Sequence, residues 1–160
     1  MIENNNYDEA VPEISVETLI EASIGEVWEK VKDIKSHVDW MDDAVSIHFV
    51  GAREQGAGTE FDCETQIGPF NLTDRMKITE WSEGKSIGVS HEGLVRGEGQ
   101  FALSVIEHGI TRFTWVESLI FPFWMGGPFR NPVGKKILEH VWQKNLKNLK
   151  TLIEDGCSSS

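Results

Sequence analysis

GEGQFALSVIEHGITRFTWVESLI, residues 97–120, alternates apolar and polar side chains on both sides of Gly109. Phe101, Leu103 and Val105 share one parity before that glycine, and Phe113, Trp115, Glu117 and Leu119 share one after it. A period of two marks half-buried strands, and a glycine between them supplies a tight turn, so the stretch reads as an antiparallel hairpin. The pattern extends upstream, predicting strands over 44–50, 58–67, 72–81 and 85–91. Gly51, Gly56, Gly58, Gly68-Pro69, Gly84 and Gly93 punctuate them. Six strands joined by short turns make an antiparallel meander with one face on a core.

Outside the meander the signals change. Ile14, Val16, Thr18 and Ile20 alternate with Ser15, Glu17 and Leu19, a strand at the beginning of the ordered chain. Ser23 with Glu26 three residues on is a capping box, and Val27, Trp28 and Val31 follow at helical spacing, predicting a helix over 24–32. A second short helical piece, 36–41, carries Trp40 and Met41 and ends in the acidic pair Asp42-Asp43. After the strands, Phe121–Pro132 breaks all periodicity with prolines and Gly126-Gly127. Val133, Ile137, Val141, Leu149 and Leu152-Ile153 then form the stripe of a helix over 134–154, about 30 Å long. The expected fold class is α+β: a curved seven-stranded antiparallel sheet wrapped around a long C-terminal helix, with two short helices after the first strand.

Composition narrows the function. A chain of 160 residues holds one core, and 39% hydrophobic content with six Trp and eight Phe excludes a disordered chain. The expected boundaries are a flexible acidic segment 1–13, one domain over 14–154, and a flexible tail 155–160. Cys63 and Cys157 have no zinc spacing and make no disulfide framework, so neither a metal nor another cofactor is expected. A net charge of −11 argues against nucleic-acid binding. The basic stretch from Arg130 to Lys150 reads as one solvated helix face. The polar residues 1–13 lack the apolar region of a signal peptide, and no stretch reaches the ~20 apolar residues of a membrane span. A cytoplasmic monomer or homodimer is expected.

The element order resembles the START-like, or SRPBCC, superfamily with its helix-grip fold, and within it the polyketide cyclase/dehydrase and lipid-transport branch. The resemblance covers residues 14–154. Ile20-Glu21-Ala22-Ser23 leading into Glu26-Val27-Trp28, and His37-Val38-Asp39-Trp40-Met41, carry it. Gly56-Ala57-Gly58-Thr59, Gly109–Trp115 and Asn145–Lys150 extend it. None is a catalytic motif. The resemblance implies a cavity between sheet and helix that encloses a lipid, an isoprenoid or a polyketide-like aromatic. It also implies two rivals: aromatase/cyclase or dehydratase chemistry, and a protein-interaction module using the 121–132 loop.

Parity decides what faces such a cavity. The inner set is Val45, Ile47 and Phe49; Phe61, Cys63, Thr65 and Ile67; Leu72, Asp74, Met76 and Ile78; Ile87, Val89 and His91; and the two sets of residues 97–120. Candidate ligand contacts are Phe61, Met76, Phe101, Phe113 and Trp115, with Phe123 and Trp124 of the loop and Val141 of the helix. Asp74, His91 and Glu117 are the ionisable residues on apolar faces, and they are the catalytic candidates if the protein is an enzyme. A charge there must be paired, protonated or wet. For Glu117 the competing assignment is a salt bridge to Arg112, Arg75 or a lysine of the long helix. For Asp74 and His91 it is a frayed strand end turned to solvent. Tyr7, the one tyrosine, lies in the terminal segment. Gly97-Glu98-Gly99 matches no dinucleotide or phosphate-loop fingerprint and reads as a turn or bulge. Phe121–Pro132 is expected to gate the cavity, its aromatics folding inward.

Overall fold

Strand β1 (Ile14–Ile20) opens the computed structural model, which describes residues 13–122, 124 and 132–159. Ile14, Val16 and Ile20 of β1 are buried, as a period of two requires. Helix α1 (Ile24–Val31) follows, its capping box complete: Ser23 Oγ accepts from the Glu26 amide and the Glu26 carboxylate accepts from the Ser23 amide. Its buried side chains are Val27, Trp28 and Val31. The second helical piece is a 3-10 turn over Ile34–Asp39, beginning two residues before the expected range. Trp40 then closes it and is only 1% exposed.

The meander comprises β2 (Ala44–Val50), β3 (Glu60–Ile67), β4 (Phe70–Ser82), β5 (Ser86–Glu92), β6 (Arg96–Glu107) and β7 (Ile110–Ile120). All seven strands form one antiparallel sheet in the order β1-β7-β6-β5-β4-β3-β2. The 97–120 hairpin pairs Phe101 with Trp115 and Leu103 with Phe113, so its apolar parity lies on one face. Two inward assignments fail, one of them at a bulge. Val45 is 57% exposed because the β2–β3 register shifts between Ala44 and Ser46, leaving Ala44 inside instead. An extra residue in one strand flips the alternation beyond it. Val105 keeps the register of Phe101 and Leu103, opposite Thr111, but is 59% exposed towards the end of β6.

Helix α2 (Pro132–Ser158) lies along β1. Gln143 donates to the Glu17 carbonyl, Lys150 to the Leu19 carbonyl, and the Glu154 carboxylate accepts from the Glu21 amide. Residues 155–158, expected in a tail, continue the helix. Its buried stripe is Gly134, Leu138, Trp142, Asn145, Leu146, Leu149 and Ile153: Leu149 and Ile153 are buried as expected, while the first half runs one position on from Val133, Ile137 and Val141. Val133, Ile137 and Leu152 are exposed. The phase follows the bulkier side chains at i, i+4, i+8, which fill more of the sheet's concavity than the smaller set. Among the described residues no helix is long and apolar enough to cross a membrane. The segment 1–12 lies outside the described residues.

Candidate functional site

A cavity of about 120 Å³ lies between the concave face of the sheet and α2. Its apolar wall includes Ile47 of β2, Phe61 of β3, Met76 and Ile78 of β4, Ile87 and Val89 of β5, Phe101 of β6 and Trp115 of β7. Leu138 and Trp142 of α2 roof it, and Trp142 stacks on Trp115 at 5.1 Å. Thus four expected ligand contacts, Phe61, Met76, Phe101 and Trp115, face the space. Phe113 does not. It is fully buried in the core, edge-on to Trp40 and 5.1 Å from Phe101. Val141 is half-buried on the flank of α2, since the helix phase turns Leu138 and Trp142 inward in its place. Trp124 is 67% exposed, so it does not cover the cavity as expected. Phe121 is buried and lines it. Phe123 and residues 125–131 of the expected gate lie outside the described residues.

Asp74, His91 and Glu117 come together on this wall. The side chains are 6%, 8% and 7% exposed. His91 Nδ1 pairs with Asp74 Oδ2, and Nε2 lies 3.3 Å from Glu117 Oε1. Neither strand is frayed here: β4 begins at Phe70, well before Asp74, and β5 runs to Glu92. Arg75 points to the other face and pairs with Asp62, while Arg112 pairs with Glu17. The salt-bridge assignments to these arginines are therefore replaced by His91.

The ladder explains the meeting. His91 is opposite Met76, which makes Asp74 its diagonal neighbour, within reach of a side chain. Glu117 is a harder case, because β6 separates β7 from β5. The residue of β6 opposite Glu117 is Gly99, and the one opposite His91 is Gly97. Gly97-Glu98-Gly99, read from the sequence as a turn or bulge at the start of the 97–120 hairpin, is the first part of a strand that presents no side chain at either glycine. Glu117 therefore leans across β6. A Cβ at Gly99 would lie 2.8 Å from both Glu117 Cγ and Oε1. A Cβ at Gly93 would lie 2.8 Å from Asp74 Oδ1.

Electrostatics follow from burial and pairing. Burial alone pushes the His91 imidazolium pKa down, but hydrogen bonds and charge from Asp74 and Glu117 outweigh it and raise it to about 10. His91 is thus a cation donating both N–H groups. His37, also on the wall, is the opposite case. Burial pushes it down to about 4, and neutral His37 donates through Nε2 to the Val31 carbonyl at 2.7 Å. Burial raises the Cys63 thiol to about 11, with Asp43, Asp74 and Glu117 adding to the effect, so Cys63 is not a nucleophile at neutral pH.

Nothing in the sequence singles out Asp43, which reads there as the end of a helical piece. It lines the cavity, and burial raises its pKa. Asn145 of α2 holds it: Nδ2 donates to Asp43 Oδ1 at 2.6 Å, and Oδ1 accepts from the Asp42 amide at 3.0 Å. Asn145 is fully buried, and an asparagine in phase with Leu138 and Trp142 is the available signal. With both nitrogens engaged, His91 has no lone pair for a metal. Among the described residues no cluster of three His, Cys, Asp or Glu side chains is arranged to hold a metal ion.

Seven antiparallel strands curved against one C-terminal helix, with a largely apolar cavity between them, define a helix-grip protein of the START-like class. The chain belongs to the polyketide cyclase/dehydrase and lipid-transport family, whose model matches residues 11–154. Solved structures share the fold. A Thermus thermophilus protein is 20% identical with a TM-score of 0.76, covering 91% of this chain and 99% of that one. A START superfamily protein from Mycobacterium smegmatis is 13% identical with a TM-score of 0.74, covering 89% and 97%. A conserved Geobacillus kaustophilus protein is 16% identical with a TM-score of 0.72, covering 89% and 95%. No curated protein matches the chain.

Proposed function

We propose that this protein binds a small hydrophobic molecule between the sheet and α2, with the polar group of the ligand against Asp74, His91 and Glu117. One observation carries the reading: an apolar cavity between sheet and helix whose described wall carries a buried charged cluster. Ligand pockets are commonly built this way, apolar with few converging polar groups. The volume bounds the size. A cavity of about 120 Å³ is close to the ~150 Å³ that holds a benzene ring and below the ~300–1,000 Å³ of drug-sized sites. A single ring or a short branched chain fits within it, whereas a long acyl chain extends beyond it. The test is native mass spectrometry of protein purified from its own host, with Trp fluorescence titration against ring compounds and prenyl and acyl chains. Saturable change in at least one class is expected. Silence across all classes in a folded sample overturns the reading.

The second reading, aromatase/cyclase or dehydratase chemistry, is favoured by the buried carboxylate–imidazolium–carboxylate group. General acid–base catalysis works best with a pKa near the operating pH, and about 10 for His91 is far from it. Proton abstraction then falls to Glu117, with His91 positioning it. Glu117→Gln should abolish turnover in an identified assay, a loss in kcat far larger than any loss of affinity. Full activity in that variant removes the catalytic reading.

A further inference from the structure

The ionisable groups on the cavity wall are one-sided. Asp43, Asp74 and Glu117 contribute carboxyl groups, His91 is their cation, and no lysine or arginine is among the described lining residues. Two cations adjoining lining residues are committed elsewhere: Arg75 to Asp62, and Lys77 to Glu60. His91 has already given both N–H groups to Asp74 and Glu117. An anion entering this space meets like charge and finds no free cation on the described wall, and a buried charge without a partner is strongly disfavoured.

The carboxyl groups of Asp43, Asp74 and Glu117 on the described wall offer acceptor oxygens, more than the N–H groups of His91 and Asn145 occupy. A carboxylate only accepts, and so cannot answer them. A hydroxyl donates, and can.

We infer that the cavity selects a neutral apolar molecule carrying a hydroxyl group and discriminates against carboxylate-bearing and phosphate-bearing molecules. This rests on the ligand-binding reading above and narrows it, setting aside free fatty acids and acyl phosphates in favour of phenols and compact alcohols. Among the described residues, the selectivity comes from three carboxyl groups facing a single cation. Each carboxylate is compensated once, by His91 or Asn145, and nothing is left over for an incoming anion.

The test titrates the full-length, isotopically labelled chain at pH 7 with 4-ethylphenol, 4-ethyltoluene and 4-ethylbenzoate, followed by amide and indole NMR shifts. One skeleton with three end groups separates charge and hydrogen bonding from size. We expect 4-ethylphenol to bind at least about ten-fold more tightly than 4-ethylbenzoate, a gap of about 1.4 kcal/mol, and to move the Trp115 indole signal. Asp74→Asn, or Asp43→Asn if the first variant does not fold, should shrink that gap several-fold. Binding of 4-ethylbenzoate as tight as that of 4-ethylphenol overturns the selectivity while leaving cavity binding intact. No shift with any of the three, in a folded sample, overturns both.

Discussion

Gly99 lies opposite Glu117 in the β6–β7 ladder, and the Glu117 carboxylate occupies the space a side chain at position 99 would fill. That relationship lets a residue of β7 reach His91 on β5 across an intervening strand. A glycine in a strand ordinarily weakens it, and such glycines often mark a close approach.

Gly99→Ala should therefore cost about 1–3 kcal/mol of stability, the usual range for overpacking, by driving Glu117 off His91. Urea unfolding measures the loss, and a double-mutant cycle assigns it. Against Glu117→Ala as background, the same substitution should cost well under half as much. Equal costs in both backgrounds would show that the glycine serves the backbone alone.

The His91 imidazolium sets a pH dependence on the alkaline side. Its folded pKa, about 10, is raised above the ~6.5 of an unperturbed histidine. The stabilisation is therefore fully present below about pH 6.5 and is lost as pH rises through about 10. The groups facing it are Asp74 and Glu117, with Asp43 and Cys63 beyond them. The melting temperature should fall steadily from pH 7 to 10, and His91→Gln should flatten that slope. NMR of the imidazole nitrogens should find both protonated at pH 8. A neutral ring there would falsify the assignment.

His37 works in the other direction. Its folded pKa is depressed to about 4, so the folded state resists protonation while the unfolded chain accepts a proton near pH ~6.5. Its contribution is present above about pH 6.5 and is lost as pH falls towards 4. His37→Gln should make unfolding less acid-sensitive between pH 6.5 and 4, even if it lowers stability at neutral pH. An unchanged acid slope means that carboxylates such as Asp42 and Asp62, whose pKa values are held down by Lys144 and Arg75, dominate the acid limb.

Asn145 ties α2 to the segment between the 3-10 turn and β2. Truncation to Ala leaves the buried Asp43 carboxyl and the Asp42 amide without their partner. Unsatisfied buried groups cost about 1–3 kcal/mol each. Chemical denaturation of Asn145→Ala should show a loss in that range or above, together with a further rise in the Asp43 pKa by NMR. A loss below about 0.5 kcal/mol would place Asn145 outside the structural frame of the cavity.

Periodicity is a local property, and what it determines is local. The alternation in residues 97–120, the capping box at Ser23 and the Gly109 turn specify a meander closed by a helix, because each depends on neighbours within a few residues. Parity alone also put Asp74, His91 and Glu117 on the concave face. It could not say that they meet, since contact depends on strand order and register, which are long-range. Nor could it place Val45 or the first half of the buried stripe of α2. A bulge reverses the face of every residue beyond it, and helix phase is settled by which side chains best fill the sheet's concavity. Only the assembled sheet puts Gly99 beneath Glu117, brings Asn145 to Asp43 and pairs His91 with two carboxylates rather than with solvent. The charge state of His91 depends on that assembly, because burial and the approach of Asp74 and Glu117 exist only in the folded chain.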